Sequence, residues 1–110
     1  MFRKKEERTL ELHMQAGAEL RVAKEALGAA YITMSKYMDA KQLDRFKRGM
    51  DYIDSVGCVA DEVMFTEHPE ISDAYTDVYY GNLHDEPRTD VDAEVIARAR
   101  VFTEELFEKH

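Results

Sequence analysis

The sequence predicts an all-α fold, an antiparallel bundle of three to four helices built on a long helical hairpin. Three observations carry this reading. Both prolines, Pro69 and Pro87, fall in the second half. Two apolar heptad patterns follow one another before the first of them, and turn residues divide the rest into short helical segments. With 110 residues, the chain is expected to be a single domain over 1–110.

The first helix is expected over about 4–38, a stretch rich in Ala, Leu, Glu, Lys and Met. Its seam runs through Ala16, Leu20, Ala23, Leu27, Ala30, Met34 and Tyr37. Alanine at every second seam position predicts close approach of a neighbouring helix. Asp39 can end this helix and cap the next, expected over 41–66. There the seam is Leu43, Phe46, Met50, Ile53, Gly57, Ala60 and Met64. The short connection between the two makes them antiparallel.

A third helix is expected over 70–80, with Pro69 at its first turn and Gly81-Asn82 as its stop. The fourth is expected over 90–108. Thr89 caps it by accepting a backbone N–H, and Asp90 and Asp92 favour its positive end. Val91, Val95, Ala99, Phe102 and Leu106 form its apolar stripe. Most methionines sit on or beside these repeats, as gap-fillers of a core.

Charge is distributed unevenly. Residues 1–50 carry 11 basic and 7 acidic side chains, residues 51–110 carry 4 and 16, and the whole chain is net −8. The segment 66–94, with nine acids against Arg88, alone accounts for −8. Such a balance excludes a globally basic surface for nucleic acid, so no direct nucleic-acid binding is expected. Cys58 is the single cysteine, which rules out an intrachain disulfide and fits a cytoplasmic protein. The charged start, Met1 to Arg8, is unlike a secretory signal, and no apolar run approaches the roughly 20 residues of a membrane span. No membrane association is expected.

Two surfaces are candidates for binding. Asp73, Tyr75, Asp77, Tyr79, Tyr80, Asp85 and Glu86 combine acids with tyrosines, which supply large amphipathic contact area. They suit a protein partner, one of basic character included, or imitation of a nucleic-acid phosphate face. On the first helix, Val22, Ala26, Ala29 and Ile32 lie away from the heptad seam and leave 26–32 apolar nearly all round. That face needs cover from the later helices or from a second copy, so a homodimer is expected.

Chemistry is thinly signalled, and no cofactor or metal is expected. Neither a His-x-x-x-His nor a Glu-x-x-His pair occurs. Asp90-Val-Asp92-Ala-Glu94 alternates acids like a calcium loop, yet lacks the turn glycine and has Val101 at the bidentate position. His68 beside Glu67, and His84 beside Asp85 and Glu86, are adjacent pairs that do not converge on one point. Arg8-Thr-Leu-Glu-Leu-His13 resembles the Arg-x4-His element of the helical HEPN ribonucleases. That resemblance implies phosphate positioning by Arg8 and acid–base cleavage by His13. It covers six residues, near the start of the first helix. Asp51 with Asp54, and Asp61 with Glu62, are similar to the acid pairs by which all-helical nucleotide pyrophosphohydrolases hold Mg²⁺, but the matching pair on the first helix is missing. The residue pattern therefore favours a small acidic interaction or regulatory module over an enzyme.

Overall fold

A computed structural model describes residues 9–81, 83 and 86–108. Among these residues there are four α-helices: α1 (Leu10–Met34), α2 (Ala40–Glu67), α3 (Asp77–Tyr80) and α4 (Asp90–Glu108). A 3-10 turn, Asp73–Thr76, leads directly into α3. Among the described residues there is no strand, and no helix is long and apolar enough to cross a membrane.

Helix ends follow local chemistry. The Thr9 hydroxyl accepts from Leu12 N–H at the start of α1. After Met34 the chain turns through 35–38, and Asp39 opens α2 with a reciprocal box: its carboxylate accepts from Gln42 N–H, and the Gln42 side chain accepts from Asp39 N–H. α1 ends at Met34, four residues short of the expected 38, and the turn that follows delivers the chain to Asp39 as the cap of α2. α2 stops at Glu67 because His68 precedes proline and is pushed out of the helical region (φ −132°, ψ 66°).

That same proline corrects the third helix. A helix from 70 does not form. Residues 68–72 make a turn closed by Ile71 N–H on the His68 carbonyl, and extended Ser72 becomes the start of the short 3-10 and α3 pair. Pro69 thus ends one helix without starting another.

α2 runs antiparallel to α1, with Leu20 beside Gly57, Lys24 paired to Asp54, and Tyr31 edge-on to Phe46 at 5.8 Å. On its other side, α1 packs antiparallel to α4, with Arg21 meeting Asp92 and Gln15 meeting Arg98. α3 fills the notch between them. The core comprises Ala18, Met64, Val78, Tyr79, Val95 and Ala99. Met64, Val78 and Val95 are fully buried, worth roughly 1.5–3 kcal/mol each in apolar transfer.

Close approach comes at an unexpected place. Ala16 and Ala23 of the heptad are exposed. The tight contact is at Gly17, where an added Cβ would run into the Val78 carbonyl and come within 2.8 Å of its Cγ1. Gly57 is a second small position, where an added Cβ would lie 3.7 Å from Leu20 Cδ2, in ordinary contact.

All of that core lies at one end. Beyond Val22 and Gly57, the remaining halves of α1 and α2 extend as a two-helix arm. Its seam of Leu27, Tyr31, Phe46, Met50 and Ile53 is half-buried, with Leu43 buried.

Candidate functional site

Two polar clusters and several exposed surfaces hold the candidate residues. The first cluster centres on Arg21, whose side chain is 1% exposed. It projects from α1 beneath Gly81, where Nη1 lies 2.8 Å from the Asp92 carboxylate and Nη2 donates to the Asp77 carbonyl. Asp77 in turn meets Arg88 at 2.8 Å and accepts from the Thr89 hydroxyl at 2.9 Å. Thr89 accepts from Asp92 N–H, capping α4 as the sequence implies, while the Asp92 carboxylate reaches back to Arg88 N–H. Arg21, Asp77 and Asp92 are thus enclosed, and Arg88, its side chain 58% exposed, completes the neutralisation from the surface. Gly81 passes directly over them, and a Cβ there would come within 2.6 Å of Asp92 Oδ1. The arrangement ties α1, α3 and α4 together.

The second cluster closes the end where α1 starts and α2 stops. Buried His13 has its Nδ1 2.8 Å from the Tyr79 hydroxyl and its Nε2 3.6 Å from Glu67. His68 packs edge-on to the same ring at 6.1 Å. Burial, with the nearby Asp61 charge, pushes the Tyr79 phenol up to about 12. Asp61 is itself raised, by burial and then by Glu62. Both nitrogens of His13 therefore face internal partners. Arg8, the other half of the Arg-x4-His element, lies outside the described residues.

The expected binding residues divide between inside and outside. Asp73 and Glu86 are exposed, Tyr75 is half-buried against the core, and Tyr80 is 48% exposed. The Tyr80 phenol is pushed up to about 12, first by its hydrogen bond with the Cys58 thiol, then by burial and the charges of Cys58, Asp61 and Glu62. Asp77 and Tyr79 are buried in the two clusters and take no part in the outer surface. Asp85 and His84 lie outside the described residues. Of the acid pairs, Asp51 and Asp54 are exposed, Asp54 against Lys24. Among the described residues no group of three or more His, Cys, Asp or Glu is placed to hold a metal.

The α1 face is similarly split. Ala18 is fully buried and Val22 packs against the core, whereas Ala26 and Ala29 are exposed and Ile32 is 65% exposed. α3 and α4 cover this face only as far as Val22. Past it, Gly28, Ala29 and Ile32 line a groove of about 460 Å³ with Leu83, edged by Lys24 and Glu25. The arm seam is flanked by two more hollows, of about 310 and 200 Å³, both reaching Leu27, Met50 and Ile53.

A further exposed array lies on α2. Tyr52, Val56, Val59 and Val63 form a second apolar stripe, offset from the heptad seam, and all four are exposed. The signal was legible as apolar residues spaced by four, three and four, masked by the stronger seam running through the same helix.

Comparison with protein-family models, curated proteins and solved structures finds no match. The chemistry of these surfaces therefore rests on their own geometry.

Proposed function

We propose that this chain is a small helical protein-interaction module that works through its two-helix arm, with the packed end as scaffold. The observation that supports it most is the ordered exposure of apolar side chains on both arm helices, Ala26, Ala29 and Ile32 on one and Tyr52 and Val56 on the other. Exposed apolar side chains grouped along a helix face mark contact sites, whereas scattered ones do not. The ion cluster suits a scaffold, because it holds three elements in one arrangement with only Arg88 at the surface.

A second reading has its own support. Asp73, Glu86, Asp90 and Glu94 are all exposed beside the packed end, with Tyr80. Such a surface would take a basic partner by charge complementarity. The two readings separate in a quantitative affinity capture from the native host. Ala29→Glu with Ile32→Glu should deplete partners of the arm, leaving those of the acidic end. Asp73→Asn with Glu86→Gln should do the reverse. Partner profiles unchanged in both variants would defeat both readings.

A further inference from the structure

We infer that His13 is a proton-operated latch, whose buried ring, once charged, fastens the start of α1 to the end of α2 and to α3. Of the four buried polar or charged residues described, Arg21, Asp77 and Asp92 stand in the ion cluster. His13 is the fourth, and histidine alone among these residue types ordinarily changes charge near neutral pH. Its Nδ1 is 2.8 Å from the Tyr79 hydroxyl and its Nε2 3.6 Å from the Glu67 carboxylate, the two side chains of that second contact being 11% and 10% exposed.

The contacts assign the protons. An ionised carboxylate only accepts, so the neutral ring keeps its proton on Nε2, toward Glu67, and Nδ1 accepts from the Tyr79 hydroxyl. That phenol, pushed up to about 12, holds its proton throughout the neutral range. At 3.6 Å the neutral ring is too far from Glu67 for a hydrogen bond, whereas a charge acts strongly across that distance where water is largely excluded. A proton taken up from solvent at Nδ1 makes the ring a donor on both sides. Nδ1 then donates to the Tyr79 oxygen, whose own hydrogen turns away, and the imidazolium pairs with Glu67.

The other described groups at this end bear on the sign. From α2, His68 packs edge-on to the ring with centroids 6.1 Å apart, and a charge there opposes one on His13. Asp61 acts on the Tyr79 phenol by its charge. From α4, Arg98 is paired to Glu94 at 2.8 Å and contacts Gln15, two positions along α1 from the ring. On α1 itself Glu11 is exposed. Glu67, in direct contact, outweighs burial and the more distant His68, because one proton turns two nearly buried groups into a neutral pair. Stability from His13 is thus fully present below about pH 6.5, the ordinary value, and is lost as pH rises through the ring's higher midpoint in the fold. Release of the proton loosens the end where α1 starts and α2 stops.

Proton–nitrogen NMR of the histidine rings in the full chain, from about pH 5 to about pH 9, tests this directly. His13 should titrate above the ordinary value, and its neutral form should be the Nε2–H tautomer. Glu67→Gln should lower its proton affinity about tenfold, whereas Asp51→Asn, at an exposed acid of the same helix, should leave it unchanged. In denaturant titrations the wild type should gain up to about tenfold in its folding equilibrium between about pH 8 and about pH 6, relative to Glu67→Gln. A His13 ring that titrates below the ordinary value would overturn the inference, since acid would then open the latch. So would an Nδ1–H neutral tautomer, or an affinity unmoved by Glu67→Gln. The wild-type titration decides the sign by itself, whether or not the variant folds.

Discussion

The two ends of this molecule use the same helices in opposite ways. At the packed end α1 is enclosed by α2, α3 and α4, and its inner positions are filled by Gly17, Ala18 and the Arg21 guanidinium. In the arm the same helix meets α2 alone, across a half-buried seam with hollows on both flanks. Even the cross-helix ion pairs differ. Arg21 and Asp92 are 1% and 4% exposed, whereas Lys24 and Asp54, three residues along α1, are 31% and 63% exposed. Burial on every side makes one end a fold, and its lack makes the other a surface.

That contrast sets the scale of mutational effects. Replacing Arg21 with Ala strands Asp92 and the Asp77 carbonyl in a dry site, and equilibrium denaturation should show a loss of about 3–5 kcal/mol. Lys24→Ala removes a solvent-screened pair and should cost less than about 1 kcal/mol. Equal losses in the two variants would dissolve the distinction between the ends.

Glycine substitutions sharpen it further, because the sign should change. Gly17→Ala forces a methyl against the Val78 carbonyl, and Gly81→Ala forces one onto the Arg21–Asp92 pair, so each should destabilise by roughly 1–3 kcal/mol. Gly28 and Gly49 are helical arm positions with nothing within 4 Å of an added Cβ. Alanine at either should stabilise by about 0.5–1 kcal/mol through helix propensity.

Alkaline pH probes the packed end alone. The Tyr79 phenol is raised from 10.0 to about 12 in the fold, so folding favours its protonated form. Stability from this group is present below pH 10 and lost as pH rises through about 12, by at most about 3 kcal/mol. Tyr79→Phe should flatten that part of the stability profile in pH-dependent denaturation, and should also cost about 0.5–1.5 kcal/mol at neutral pH for the hydrogen bond with His13.

Much of the architecture was legible in the residues. The break at Asp39, the Thr89 cap and the extent of α4 all follow from local side-chain chemistry that tertiary packing reinforces. The inner lining of α1 was not. Hydrophobic periodicity weighs apolar bulk, and the buried line His13, Gly17, Arg21 has almost none. It advertises itself only as polar and small residues at four-residue spacing. The alanine heptad beside it has stronger periodicity yet faces solvent at Ala16 and Ala23, because the close contact is made by a glycine. The acidic segment was misleading for a related reason. A formal charge count treats Asp77 and Asp92 like Asp73, although Arg21, from outside that segment, and Arg88, from within it, bring opposite charge to the first two. Likewise the tyrosines of 75–80 look alike in sequence, and only packing separates buried Tyr79 from exposed Tyr80.

Native-state hydrogen exchange on dilute protein, where the monomer dominates, tests the division into fold and arm most directly. Amides of 13–22 in α1, 57–66 in α2 and 94–102 in α4 should exchange only with global unfolding. Those of 25–34 and 44–52 should open locally, at a free energy lower by about 2 kcal/mol or more. Uniform protection along α1 and α2, with no step near Val22 and Gly57, would contradict the account.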